Sequence, residues 1–177
     1  MNRMSNPDAL PGIPVLEQTP IIIERLVWGA TEEQLHWKPA ADRWSISEVL
    51  AHLADVEVFG FRERVEKMMS EKNPKIAAYD QEAHYAAGKY SKDRAKENLK
   101  NFCHERDRSL SALRYVPLQA AARTGQHEKL GPITIGHLMN EWAFHDLGHI
   151  RQITELYRAN AFYPYAGPFK ALYTVKP

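Results

Sequence analysis

Asn140-Glu141-Trp142-Ala143-Phe144-His145-Asp146-Leu147-Gly148-His149 lies in the last long helical segment of the chain and decides how the rest is read. His145 and His149 are four residues apart, so on a helix their imidazoles leave one face, one turn above the other. That face is the apolar one. Leu138, Trp142, His145, His149, Ile153 and Leu156 fall on a single stripe of 3.6-residue period. An unpartnered buried imidazole is costly, and two of them in one core stripe need a reason. Shared coordination of a metal ion supplies one, and it requires at least one more ligand.

A third histidine answers that requirement. The run from Trp44 to Phe61 predicts a second strong helix, with Val49, Leu53, Val56 and Phe59/Gly60 on one stripe and His52 at its edge. Two core-facing helices then bring one and two histidines toward a common centre. Three imidazoles with an open position form a catalytic type of zinc-like site, whereas structural sites are closed by four protein ligands.

Outward from these two segments the chain reads as helix after helix. A first helix is expected from about Val15 to Gly29, broken near its start by Pro20. Thr31-Glu32-Glu33-Gln34 has the form of a capping box and opens a short turn before Pro39. Ser45 and Glu48 cap the second helix, which runs to about Met69 and stops at Lys72-Asn73-Pro74. Residues 73–90 form a long connection, of a length that is usually functional or flexible. Ser91 caps a third helix to about Tyr115, with Leu99, Phe102, Arg106, Leu110 and Leu113 on one side. Thr134 caps the fourth, to about Ala159. No strand pattern, repeat or low-complexity tract stands out. The fold class is all-α, a four-helix bundle.

The 177 residues are expected to form one domain, 1–177, with its core at about 15–159. The apolar segment Ala161-Phe162-Tyr163-Pro164-Tyr165 should pack on that core. Lys and Arg number 23 against 22 Asp and Glu, a formal charge of +1, and no basic block implies nucleic acid as a partner. The single Cys103 excludes an intramolecular disulfide and fits a reducing, cytoplasmic setting. No apolar run has bilayer-spanning length, so no membrane partner is expected. A small-molecule substrate is expected, and a homodimer through exposed helix faces is compatible with the pattern.

Three segments resemble the DinB-like (DinB/YfiT) superfamily of metal-dependent enzymes. They are Trp44-Ser45-Ile46-Ser47-Glu48-Val49-Leu50-Ala51-His52-Leu53-Ala54-Asp55, Leu130-Gly131-Pro132-Ile133-Thr134-Ile135-Gly136-His137-Leu138, and His145-Asp146-Leu147-Gly148-His149-Ile150-Arg151-Gln152-Ile153. The resemblance implies a four-helix bundle of unusual connectivity and a histidine triad, here His52, His145 and His149, that binds a divalent metal, zinc or nickel. It also implies a thiol S-transferase chemistry, with a low-molecular-weight thiol such as bacillithiol, mycothiol or glutathione as cosubstrate. A metal-dependent hydrolase on the same site, and a non-catalytic metal-binding or stress-associated helical protein, are the alternatives.

The residues agree with that chemistry. Three neutral imidazoles leave a divalent charge uncompensated, and such a centre holds a thiol as the nucleophilic thiolate. Around the triad, Tyr85 and His84 are candidates for a lid or proton donor. Glu141, Gln152 and Asp55 are candidates to hydrogen-bond a ligand, each weighed against a plain role as a solvated or bundle-edge residue. Asp146 should point about 100° away from His145 and so is no ligand. Arg62, Arg64 and Arg151 read as surface charge with a secondary option of holding a carboxylate. A zincin needs Glu where Asp146 stands. A ferritin-like di-iron site needs Glu-x-x-His motifs, and none precedes the three histidines. An HD-type phosphohydrolase needs a later Asp, and none follows Asp146.

Overall fold

The computed structural model describes residues 9–90 and 94–177. The proposed cap Ser91 lies outside the described residues. Four long helical rods make the bundle. They are α1 (Ile13–Val27), then α3 (Ile46–Val56) running through a π-helical turn (Glu57–Arg62) into α4 (Glu63–Ser70), then α6 (Ala95–Leu113) and α7 (Ile135–Ala161). Short helices α2 (Glu32–His36) and α5 (Gln81–Ala86) sit in the connections. α3 packs on α6 and α7, and α1 packs on α6 and α7. Among the described residues no helix is long and apolar enough to cross a membrane.

The capping chemistry read from the sequence is present at three helices. Thr31, Ser45 and Thr134 each accept from the backbone N–H three residues on, and the side chains of Gln34, Glu48 and His137 return the bond. Gly12, at φ 82°, starts α1 in the left-handed region. A Cβ there would also lie 2.6 Å from the Met139 carbonyl oxygen, so the close approach of α1 to α7 requires glycine.

Several expectations are corrected. α1 continues through Pro20. Proline has no N–H for the carbonyl four residues back, which here is that of Leu16. The Leu16 oxygen instead accepts from Arg106 Nη1 at 2.8 Å, so the missing helical bond is replaced by a tertiary one. Phe59, expected on the buried stripe, is 41% exposed while Gly60, Phe61 and Arg62 are buried. The π-helical turn holds one residue more than an α-turn and shifts the period. Residues 73–134, read without strands, contain a small sheet of order β1-β2-β3: β1 (Lys75–Ile76) parallel to β2 (Thr124–His127), which pairs antiparallel with β3 (Gly131–Thr134). Strands of two to four residues are too short to show an alternation. The C-terminal segment forms 3₁₀ turns beside α7, with Tyr157 and Phe162 rings 5.4 Å apart. Its large side chains Phe162, Tyr165 and Phe169 remain exposed.

The core is divided in two. One cluster contains Leu16, Val56, Phe61, Leu113 and Trp142, and the other Ile23, Leu53, Phe102, Ile153 and Leu156. On three rods stand Glu57, Arg106 and Asp146, all fully buried. Arg106 Nε and Nη2 donate to the two Glu57 oxygens at 2.8 and 2.9 Å. Nη1 and Nη2 donate to Asp146 at 2.7 and 3.0 Å. With the bond to Leu16, all five guanidinium N–H groups have acceptors. Glu57 also accepts from Trp142 Nε1 at 3.1 Å. Burial works against the charge on Arg106, yet the two carboxylates hold its pKa above the ordinary value. Burial pushes the Glu57 carboxyl up against the pull of Arg106. Replacing Arg106 by leucine strands two carboxylates in this layer, and a loss of about 3–5 kcal/mol in unfolding free energy is expected by urea denaturation. A loss below about 1 kcal/mol would contradict the role assigned to it.

Candidate metal centre

His52 projects from the middle of α3, and His145 and His149 project from adjacent turns of α7. The structure brings their three Nε2 atoms together: His52 to His145 is 3.2 Å and His149 to His145 is 3.1 Å. These three residues form a group whose ligand atoms lie within 4.8 Å of one another and could hold a metal ion. Nitrogens bound tetrahedrally to one ion at about 2.0–2.1 Å stand roughly 3.3–3.4 Å apart, close to what is seen.

The hydrogen bonds on the other ring nitrogens carry the fit further. His149 Nδ1 lies 2.8 Å from Gln152 Oε1, an acceptor, so Nδ1 carries the proton and Nε2 is bare. His52 Nδ1 lies 3.2 Å from the Tyr90 hydroxyl, which is itself 2.6 Å from the Tyr79 hydroxyl, and Tyr79 donates to Asp55. His145 Nδ1 is buried with no partner among the described residues. Burial, with the neighbouring imidazoles, depresses His52 to about 2 and His145 to about 3, and burial lowers His149 as well. All three rings are therefore neutral near pH 7, with their Nε2 atoms facing a common point. A cation satisfies every one of them at once, which a single N–H cannot. The set suits a divalent metal.

A cavity of about 650 Å³ opens over His145 and His149, lined among others by Arg43, Glu141, Phe144, Arg151, Gln152 and Lys176. Glu141 is thus an exposed cavity residue, on the open side of His145. Tyr85 is one ring removed from the triad. It stacks on Trp44 at 6.0 Å, Trp44 lies 5.1 Å from the His52 ring, and the Tyr85 hydroxyl donates to Glu48 Oε1 at 3.0 Å. Glu48 does more than cap α3, since it also accepts from Lys38 Nζ at 3.0 Å. His84 reaches Asp55 rather than the triad.

The structure departs from the sequence expectation at several residues. Arg62 is not surface charge: it is buried, with Nη2 on Glu105 at 2.6 Å and Nη1 on Ser109. Gln152 and Asp55, weighed as bundle-edge residues, lie in hydrogen-bond chains that end on a triad histidine. Asp146 points away from the triad as expected, but into the buried ion layer. Tyr79 and Tyr90 went unrecognised, because nothing in a loop sequence shows which tyrosine turns inward. Arg106 did leave a signal, as a lone cation on the apolar stripe of its helix.

The depressed histidine pKa values have a consequence for the metal-free protein. The unfolded chain takes a proton on each of these histidines near the ordinary 6.5, whereas folded His145 waits until about 3. Stability is then lost as pH falls below 6.5, at about 1.4 kcal/mol per pH unit for each such residue. Chelator-treated His145→Gln protein is expected to lose stability less steeply than the parent between about pH 6 and 4, by about one proton's worth of slope in denaturant titrations. Equal slopes would mean that His145 titrates normally in the folded state.

Comparison with known proteins finds metal-dependent relatives. A protein of Oceanobacillus iheyensis named "Putative metal-dependent hydrolase" is 28% identical over 142 residues, covering 80% of this chain and 81% of its own. The structure of YfiT from Bacillus subtilis, described as a probable metal-dependent hydrolase with an unusual four-helix bundle topology, superposes with a TM-score of 0.72. It is 27% identical and covers 83% of this chain and 84% of its own. These relatives and the three-histidine cluster support a metal-dependent enzyme that uses a divalent ion. Residues 16–153 match the DinB superfamily, and the chain belongs to it.

Proposed function

We propose that His52, His145 and His149 hold one divalent metal ion, zinc or nickel, and that the protein transfers a low-molecular-weight thiol to an electrophilic small molecule. The convergence of three neutral Nε2 atoms beside an open cavity carries this reading. A bound divalent cation supplies a Lewis-acid centre at which an added thiol is present as thiolate near neutral pH. The chain's own residues provide the rest. Gln152 and Tyr90 orient His149 and His52. Arg43, Arg151 and Lys176 line the cavity as anchors for carboxylates of a thiol cosubstrate. Phe144 gives the same cavity an apolar wall for the electrophile.

Among the described residues no Asp, Glu or Cys joins the three histidines in the ligand cluster. A thiol, with an ordinary pKa of about 8.5, needs no such base beside it, and this favours a thiol over water as nucleophile. Hydrolysis is the second reading. The names of the two relatives favour it, and Glu141 in the cavity offers a proton acceptor for water.

Metal analysis of untagged protein by plasma mass spectrometry, beside His149→Ala, tests the first half of the proposal. About one equivalent of zinc or nickel is expected in the parent and little in the variant. Absence of metal in the parent, even after incubation with both ions, would overturn it. Metal-loaded parent is then assayed with small thiols against a chloroarene or epoxide, and with activated esters without thiol. Thiol-dependent consumption of the electrophile supports transfer, and thiol-independent ester cleavage alone replaces it with hydrolysis.

A further inference from the structure

We propose that Asp55, acting through Tyr79 and Tyr90, is the carboxylate that positions His52 as a ligand, so that the connection over residues 79–90 is part of the metal centre. The proposal rests on the three-histidine reading above and names residues that reading does not require.

Glu48, His52 and Asp55 are spaced four and three residues apart on α3 and so share a face. Each is engaged from the same connection. Tyr85 donates to Glu48, Tyr90 bonds His52, and Tyr79 and His84 both bond Asp55. The direction of the chain to His52 follows from counting protons. An ionised carboxylate only accepts, so the one proton of Tyr79 is spent on Asp55. The single proton of Tyr90 then goes to the Tyr79 hydroxyl at 2.6 Å or to Asp55 Oδ2 at 3.5 Å. With that proton used, the 3.2 Å contact to His52 needs the imidazole Nδ1–H as donor, and Nε2 is left bare toward His145 and His149. Burial holds both phenols above their ordinary pKa, Tyr90 at about 12, so each keeps its proton near neutral pH. Asp55 thereby selects the metal-binding tautomer of a ligand it does not touch, as carboxylates directly bonded to metal-binding histidines do.

The test uses the full chain and zinc alone. Zinc affinity is measured by competition with a chromophoric chelator, and the proton position on His52 by nitrogen-15 NMR of zinc-free protein. Tyr90→Phe and Asp55→Ala are each expected to weaken zinc binding about tenfold, in line with losses seen for such outer partners. Both should convert His52 from a single Nδ1–H tautomer to a mixture. Glu128→Ala removes the acceptor of the Ala78 N–H, loosening the same connection without touching the chain, and should leave both readouts unchanged. His52 protonated on Nε2 in the parent would overturn the proposal. So would affinities of Tyr90→Phe and Asp55→Ala within about twofold of the parent, or an equal loss in Glu128→Ala. If the parent takes up neither zinc nor nickel, the three-histidine reading fails, and the tautomer alone decides the role of Asp55.

Discussion

The guanidinium of Arg106 is the contact around which the bundle is arranged. It is fully buried, and its five N–H groups reach α1, α7 and the π-helical turn between α3 and α4, while it stands on α6. A charge in that position is tolerable only if each donor is met, and each is. Satisfying it explains features that look like faults in isolation. Pro20 inside α1 frees the Leu16 carbonyl that Arg106 needs. The π-helical turn carries Glu57 at its start, with its carboxylate on the guanidinium. Trp142 spends its indole N–H on the same Glu57 and stacks on Phe61 at 4.8 Å, which joins the ion layer to the adjoining apolar cluster.

The metal centre stands beside this layer. Asp146 precedes the Leu147-Gly148-His149 turn and follows His145 directly, so the ion layer fixes the rotation of α7 and with it the direction of both imidazoles. From the other side α3 presents His52 in a wholly buried setting. The rings of His149 and His52, held by Gln152 and Tyr90, keep their Nε2 lone pairs inward without a counter-charge. The cost of that arrangement is borne by the rest of the bundle, and its use is a site open on one side to a cavity that carries both signs of charge.

Much of this was legible before any coordinates. The stripe through Leu138, Trp142, His145, His149 and Ile153 and the caps at Thr31, Ser45 and Thr134 are local features, written in spacing and side-chain chemistry, and the four rods follow from them. The convergence of His52 with the α7 pair was readable because each lies on an inward face. What escaped the sequence is what depends on partners far along the chain. The parallel pairing of Lys75–Ile76 with Gln126–His127 joins residues about fifty positions apart in strands too short for a pattern. Phe59 was misplaced because a π-helical turn has no periodic signature of its own. Tyr79 and Tyr90 lie in a loop, where no period tells inward from outward.

The central claim, three imidazoles on one ion with one side open, is met most directly by X-ray absorption of the zinc-loaded protein before and after addition of a small thiol. The account predicts three nitrogen scatterers of imidazole type at about 2.0–2.1 Å with a lighter exchangeable neighbour, and a sulfur at about 2.3 Å once thiol is added. A shell already closed by a fourth protein ligand and indifferent to thiol would contradict it.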